Sequence, residues 1–272
     1  CTYGLGNSKQ ASGYFTTKVD PFSEQPIQFY PLTSLDHFLD YLKPKRAARI
    51  KMKAKRRLDA GKPPLYKSYL QPLPLVESDQ GFILLSEAYN SSSNLNQPYW
   101  NNTYYPFYNY GFAPYRYSPY GNRYYQSPYA YDAPARSGHI EMIESVATGF
   151  DTEGRLVWDH SFKLDTKKTD GLEQTSDLIL NENTVHLLYK KEQQLLTSIR
   201  SLITDSVRVD TCSIPKKNPM DVVRNDADTE AGVRKWYDRY AFLWGYQSIR
   251  NRGEADIDRI RYVFYAVKYE VD

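Results

Sequence analysis

Short apolar segments alternate with turn residues along most of this chain, and this rhythm restricts its fold more than any other feature. Turns rich in Gly, Asn and Asp lie at residues 78–81, 151–154 and 181–183. Segments that read as strands separate such turns at spacings of about 10 residues. This pattern is typical of antiparallel sandwiches, barrels and propellers. We therefore predict a mainly β, antiparallel β-propeller-like fold, or part of one, built from sheets of four strands or fewer.

Individual segments refine this prediction. The consecutive apolar residues 82–85 predict a central strand that is buried on both faces. Residues 12–32 predict two short strands around a turn at Asp20-Pro21, and residues 233–251 and 259–272 predict a closing pair of strands. Three tryptophans in strand patterns are predicted to lie in the core: Trp158, Trp236 and Trp244.

One helical insertion is predicted at residues 33–61. Four apolar residues follow the spacing of a single helical face: Leu35, Phe38, Leu39 and Leu42. Pro44 is expected to end or kink that helix. Residues 45–58 are rich in helix-forming residues and stop at Gly61, which predicts a second helix.

The second half of this insertion is strongly basic. Residues 43–57 contain nine Lys or Arg residues and no acid. The basic patch consists of Lys45, Arg46, Arg49, Lys53, Arg56 and Arg57. Such a run is usually a solvated helix face, but it could also contact an acidic protein, lipid headgroups or nucleic acid. Because the net charge of the chain is only +3, we predict no nucleic-acid partner.

Tyrosine is concentrated in one stretch. Residues 98–131 contain 12 of the 26 tyrosines, together with five prolines. Proline removes a backbone donor, so residues 91–137 are predicted to form a long Tyr/Pro/Asn-rich loop. Its rings could pack on the β scaffold, bind a protein or a glycan, or belong to a disordered segment. The candidate binding residues are Tyr99, Trp100, Tyr104, Tyr105, Tyr108, Tyr110, Tyr115, Tyr117, Tyr120, Tyr124 and Tyr125.

No sequence motif for catalysis is present. HExxH, GxSxG and Gly-rich phosphate loops do not occur. Asp159, His160 and Ser161 are adjacent, but neighbours in a strand point to opposite faces, which argues against a catalytic triad. A carboxylate pair for glycan hydrolysis could be drawn from Glu87, Glu141, Glu144 and Asp159. We predict no catalytic residue, no metal site and no cofactor.

The chain has only two cysteines, Cys1 and Cys212. Cys1 has three explanations: the acylated first residue of a bacterial lipoprotein, the accidental start of a fragment, or a disulfide partner of Cys212. Membrane association is expected only if Cys1 is acylated.

The order of these features resembles that of a family of uncharacterised, secreted, propeller-like proteins of Gram-negative bacteria. The resemblance is carried by "TYGLGNSKQASGYFTTKVD", the basic helix, "GFILLSEAY", the Tyr-rich insert, "GFDTEGRLVWDHSF" and the terminal "GYQSIRNR" and "RIRYVFYAVKY". In that family, a repeat of the form D-x-x-G-x-(L/I)-x-W closes β-hairpins, and Asp151, Gly154, Leu156 and Trp158 match it here.

The resemblance implies that residues 1–272 are one β-rich domain, the C-terminal part of a larger propeller. It implies a periplasmic or outer-membrane location and brings no catalytic residues with it. The expected function is a non-catalytic cell-envelope binding or scaffold protein, whose aromatic loop contacts an envelope protein or a glycan. The alternative is an exported, glycan-active hydrolase with a carboxylate pair in a propeller cleft.

Overall fold

The computed structural model describes residues 1–6, 8–19, 22, 26–91, 140–169, 171–216, 220–250 and 260–271. These residues form fourteen β-strands and one α-helix, α1, at Pro44–Asp59. The strands are β1 Thr2–Tyr3, β2 Gly13–Thr16, β3 Gln28–Pro31, β4 Tyr69–Ser78, β5 Gly81–Ser91, β6 Ile140–Asp151, β7 Leu156–Thr169, β8 Ser176–Asn181, β9 Thr184–Lys191, β10 Gln194–Ser201, β11 Val207–Ser213, β12 Val222–Lys235, β13 Tyr240–Arg250 and β14 Ile260–Glu270. The prediction of a mainly β chain with one helical insertion is confirmed.

The strands form four antiparallel sheets, each made of consecutive strands. The first sheet contains β1–β3, the second β4–β7, the third β8–β11 and the fourth β12–β14. Tight turns favour this arrangement: Asn181 pairs with Thr184 across a two-residue turn in which Glu182 has a φ of 39°. Sheets of four strands or fewer match the prediction. The sheets do not close into a ring, so the propeller-like arrangement stays a prediction.

The first three sheets pack face to face in chain order, because successive residues of a strand point to opposite faces. In β5, Leu84 packs in one cluster with Tyr14 of the first sheet. Ile83 and Leu85 of the same strand pack in another cluster with Leu187 of the third sheet. The predicted central strand at residues 82–85 is confirmed, since β5 lies between β4 and β6 and contributes to both clusters.

The fourth sheet packs on the third in the same way. Ile179 and Leu188 of the third sheet share a cluster with Val233 and Leu243 of the fourth. The core between two neighbouring sheets is therefore formed by the side chains on their facing sides.

Residues 35–42 do not form the predicted helix. Leu32–Ser34 is a single 3₁₀ turn, and the residues after it form bends and turns that still bury most of their apolar side chains between the first two sheets. The Asp159 carboxylate of β7 accepts hydrogen bonds from the backbone N–H groups of Asp36 and His37, at 2.8 and 2.7 Å. This tertiary contact holds the segment in an irregular path that the apolar spacing did not indicate.

Pro44 begins a helix rather than ending one. It occupies the first turn of α1, where its missing N–H has no intrahelical partner to lose. The helix stops before Gly61, whose φ of 67° suits a helix end, so the second predicted helix is confirmed. Among the described residues, no helix is both long and apolar enough to cross a bilayer.

The predicted positions of the tryptophans are partly wrong. Trp158 packs at the margin of the cluster between the second and third sheets. Gly149 makes room for it, because a Cβ there would lie 2.2 Å from the indole ring. Trp236 is 58% exposed, and Trp244 lies half-buried on the outer face of the fourth sheet. Trp244 lies in β13, as its strand pattern predicted, but faces away from the third sheet, whereas Trp236 follows the last residue of β12 and lies outside any strand.

The predicted Tyr/Pro/Asn-rich loop lies outside the described residues, except for Ser91. All eleven of its candidate binding residues, from Tyr99 to Tyr125, therefore lie outside them as well. The strands that flank the segment are neighbours in the second sheet, and Ser91 at the end of β5 pairs with Ile140 at the start of β6. The two ends of the segment are thus held close together.

Candidate functional site

The fourth sheet has an outer face that no other described sheet covers. Alternate residues of β13, Ala241 and Leu243, are buried against the third sheet. The residues between them point outward and meet outward-facing residues of β14. Three cross-strand pairs on this face are Phe242 with Lys268, Trp244 with Ala266, and Tyr246 with Phe264.

Aromatic side chains dominate this surface. We call it the aromatic face; it consists of Trp236, Tyr237, Tyr240, Phe242, Trp244, Tyr246, Tyr262 and Phe264. Phe242 and Trp244 stack with their ring centroids 5.7 Å apart and their planes at 19°. The ring centroids of Trp236 and Phe242 are 6.4 Å apart, and those of Tyr246 and Phe264 are 5.2 Å apart. These contacts hold the rings in fixed positions along β13.

Two cations lie against the rings. The Lys268 Nζ lies 3.5 Å from the ring centroid of Tyr240 and donates a hydrogen bond to the hydroxyl of Tyr237 at 2.8 Å. That hydrogen bond raises the pKa of Lys268. The Arg234 guanidinium lies 5.6 Å from the ring centroid of Trp244. The face therefore combines apolar rings with positive charge, which can contact both apolar and hydroxylated or acidic groups.

The exposed area of the aromatic face is large. Trp236, Tyr262 and Phe264 are 58%, 83% and 52% exposed. With Tyr237 and Tyr246 included, and roughly 200 Å² of surface per aromatic side chain, these exposed fractions amount to about 550 Å². The largest apolar patch on a typical monomer is about 300–600 Å², and patches of this size often have a function. Three further rings of the face are half-buried and add to this area.

A glycine helps to shape the surface. Gly232 of β12 pairs with Trp244, and a Cβ on Gly232 would lie 2.7 Å from the indole ring. Because the glycine has no side chain, the indole of Trp244 packs directly against the backbone of β12. The sequence therefore places a small residue where the largest ring of the sheet needs space.

The basic patch lies on the side of α1 that faces away from the core. Arg57 is half-buried, and its Nε donates a hydrogen bond to the carbonyl of Pro63 at 2.9 Å. Ile50 and Ala54, on the opposite side of the helix, face the protein interior. The other five predicted members are exposed: Lys45, Arg46, Arg49, Lys53 and Arg56. The structure thus brings most of the predicted basic patch together on one surface.

Glu87 is a buried carboxylate with a full set of partners. It lies in β5 opposite Ser145 and faces the third sheet. The backbone N–H groups of Thr175 and Ser176 donate to it at 2.9 and 2.6 Å, and both hydroxyls also donate to it. Burial raises the pKa of Glu87, and these hydrogen bonds oppose the rise. Glu87 therefore joins the second sheet to the start of β8.

Glu144 is buried on the opposite face of the second sheet. It is 1% exposed, and neither of its side-chain oxygens has a hydrogen-bond partner among the described residues. Burial raises its pKa well above the ordinary value, and the nearby carboxyls of Asp40 and Asp159 raise it further. Since Glu87 and Glu144 belong to different layers and are both closed to solvent, they do not form the carboxylate pair that glycan hydrolysis requires.

Asp159, His160 and Ser161 behave as the strand alternation predicted. Asp159 and Ser161 both contact the segment at residues 36–37, where Ser161 donates to the carbonyl of His37. His160 faces the third sheet, with its Nε2 2.9 Å from the hydroxyl of Ser198. Burial lowers the pKa of His160 to about 4, and the charge of Arg200 contributes. These three side chains do not converge.

The remaining candidate residues are scattered. His37 lies next to Asp40, His186 lies in β9 beside Thr184, and His139 lies outside the described residues. Within the described ranges, no group of three His, Cys, Asp or Glu side chains could hold a metal ion. Cys1 and Cys212 are both free and exposed, so the disulfide considered above is not formed.

The aromatic face was missed in the sequence, although its signal is present there. Aromatic residues occupy alternate positions 240–246, with small or aliphatic residues between them at 241, 243 and 245. This alternation indicates a strand whose aromatic side is distinct from its packed side. The tryptophans were predicted to lie in the core because they lie in strand patterns.

The fold and this surface define a class: a mainly β protein of face-packed antiparallel sheets with an exposed aromatic face. The chain matches no protein-family model, no curated protein and no solved structure. Its class is therefore defined by its own fold and by the aromatic face.

Proposed function

We propose that this protein is a non-catalytic binding or scaffold protein of the Gram-negative cell envelope, which contacts an envelope protein or a glycan through exposed aromatic residues. The observation that carries this proposal is the aromatic face of the fourth sheet. Trp, Tyr and Arg are the residues that contribute most to binding energy at interfaces, and here they lie together on a rigid sheet. Rings already held by their neighbours lose little conformational entropy on binding.

Two sequence features support the envelope location and extend the proposed surface. The resemblance to secreted, propeller-like proteins supports the location. Residues 97–136 share the chemistry of the aromatic face, with abundant tyrosine and only four charged residues, Arg116, Arg123, Asp132 and Arg136. Low charge reduces the cost of removing such a surface from water.

The test measures saturable binding of the full chain to purified outer-membrane and peptidoglycan fractions. The double variant W236A/Y262A is expected to weaken binding by about tenfold or more, which corresponds to roughly 1.4 kcal/mol. Its melting temperature should stay near that of the wild type, because both side chains are largely exposed. The matched control is V157A, which removes an apolar side chain that is 64% exposed on the second sheet.

A second variant tests the Tyr-rich segment. Residues 97–136 are replaced with a short Gly/Ser linker, which the pairing of Ser91 with Ile140 makes possible. Loss of binding with an unchanged melting temperature would support a binding role. A melting temperature lower by many degrees would show that the tyrosines pack on the scaffold instead. Unchanged binding in both variants, or turnover of a glycan substrate, would contradict the proposed function.

A further inference from the structure

β14 is a long and regular edge strand. Among the described residues, β13 is its only strand partner. The two strands pair over all eleven residues of β14 without a register shift. The sequence of β14 contains no proline. A long, regular edge of this kind is a template for pairing with another strand.

The other described long edges carry features that discourage pairing. β4 contains Pro72 and Pro74, and its register with β5 shifts between Pro72 and Leu75. The pairing of β12 with β13 has two register shifts, and that of β7 with β6 also has two. β11 pairs with β10 without a register shift, but it has only seven residues, compared with eleven in β14. β14 is therefore the longest regular edge among the described strands.

The direction of the backbone groups of β14 follows from its ladder. Just beyond the strand, the N–H of Val271 donates to the carbonyl of Arg239 at 2.9 Å. Residues of an antiparallel strand direct their backbone groups alternately toward one neighbour and away from it. Odd-numbered residues of β14 therefore bond to β13. The even-numbered residues direct their N–H and C=O groups to the open edge: Ile260, Tyr262, Phe264, Ala266, Lys268 and Glu270.

We propose that β14 pairs antiparallel with β14 of a second copy of this chain, which joins the two fourth sheets into one six-stranded sheet. Pairing a strand with its own copy uses the same edge on both partners, so association stops at two chains. The outward side chains of the even-numbered residues belong to the same side of the sheet as the aromatic face. The dimer would therefore carry one aromatic face that continues across both copies.

The charges of β14 are compatible with this pairing. Full overlap of residues 260–270 places Tyr262 opposite Lys268 of the second copy, and Ile260 opposite Glu270. On the other side of the sheet, Arg261 falls opposite Tyr269. No like charges face each other in this register, and the Lys268 ammonium can contact the second copy's tyrosine ring.

The proposed dimer does not depend on the proposed function. Its contacts are backbone hydrogen bonds at the open edge, whereas binding of an envelope partner would use the outward rings. The dimer extends the surface available for that binding, but either property can exist without the other.

The experiment is sedimentation of the full chain over a wide range of protein concentration. A266P removes an outward N–H without touching a hydrogen bond to β13, and Ala266 contributes no aromatic ring. A266K places a charge at the same point of the edge and tests the same contact if the proline variant does not fold. T211P is the matched control on the edge strand β11. Just beyond β11, the N–H of Ile214 donates to the carbonyl of Gln193, so the even-numbered residues bond to β10. The N–H of Thr211 therefore points to the open edge, as that of Ala266 does.

The wild type and T211P are expected to sediment with twice the mass of one chain, and A266P and A266K with the mass of one chain. Circular dichroism should show the same β content in all four proteins. A monomeric wild type would overturn the proposal, as would a folded A266K that remains dimeric. Loss of the dimer in T211P as well would also overturn it. Binding to envelope fractions is measured in parallel, so that failure of the dimer and failure of the proposed function are seen separately.

Discussion

At the scale of single residues, Glu144 shows how burial without a partner destabilises a fold. Its carboxyl lies between the first and second sheets, where desolvation and the carboxyls of Asp40 and Asp159 disfavour its charged form. A carboxyl whose pKa is raised on folding binds its proton more tightly in the folded chain. Its contribution to stability is complete below the unfolded pKa and is lost as the pH rises through the folded pKa.

We predict that E144Q stabilises the protein at neutral and alkaline pH. The amide cannot ionise, so the free energy of unfolding should exceed that of the wild type by roughly 1–3 kcal/mol at pH 8. The difference should shrink as the pH falls toward 4.5, the ordinary value for a glutamate. Urea unfolding at several pH values measures it. The control E77Q makes the same change at an exposed carboxyl of β4. A wild type more stable than E144Q at pH 8 would contradict this account.

At the scale of elements, the same residue type has the opposite effect one strand away. Glu87 of β5 accepts hydrogen bonds from Thr175 and Ser176, which lead into β8. The Ser145 hydroxyl of β6 lies 2.7 Å from the Ser176 hydroxyl and can donate to it. This network fixes the entry of the chain into the third sheet. Its donors would be left unpaired in a buried layer if the carboxylate were lost.

Burial raises the pKa of Glu87 as well, so ionisation also costs stability here, but the hydrogen bonds to its carboxyl oppose that cost. We predict that E87Q destabilises the protein by about 1–3 kcal/mol, since the bonds to the carboxylate weaken and an amide N–H₂ in the place of Oε2 faces the N–H of Thr175, which is itself a donor. The same Glu-to-Gln change thus stabilises at position 144 and destabilises at position 87. Urea unfolding at pH 8 of both variants and of the double variant measures this. Because the two side chains face different layers, their effects should be nearly additive. Equal signs for the two single variants would refute the assignment of the two carboxyls.

At the scale of the whole molecule, stability should follow the order of the sheets. The second and third sheets are each packed between two neighbours, whereas the first and fourth have a described neighbour on one side only. Burial on both faces removes more apolar area from water and protects the backbone hydrogen bonds from local opening.

Hydrogen exchange followed by mass spectrometry should therefore show the slowest exchange in β5, β6, β9 and β10. Exchange should be faster in β2, β3 and β11, which lie in a terminal sheet or at a polar edge. The A266K variant, which is expected to be monomeric, serves as the reference, so that pairing of β14 does not affect the comparison. Equal protection of the first and second sheets would contradict this order.

Most of the local structure followed from the sequence. Turn residues at 78–81, 151–154 and 181–183 each close a hairpin, because tight turns depend on nearby residues alone. The helix at Pro44–Asp59 and its exposed basic side were also predicted, since composition and short-range spacing decide both. The separation of Asp159 from His160 followed from strand alternation.

Tertiary structure decided the rest. Residues 35–42 have helical spacing, but contacts from β7 hold them in turns, and such contacts leave no mark on local sequence. Glu87 and Glu144 look alike in the sequence, and only the sheet on either side distinguishes a satisfied carboxylate from an unpartnered one. Trp244 was expected in the core but lies on the uncovered side of β13. Alternation shows that a strand has two faces but does not say which face is covered. That depends on which sheets pack together, and packing joins residues that are far apart in the chain.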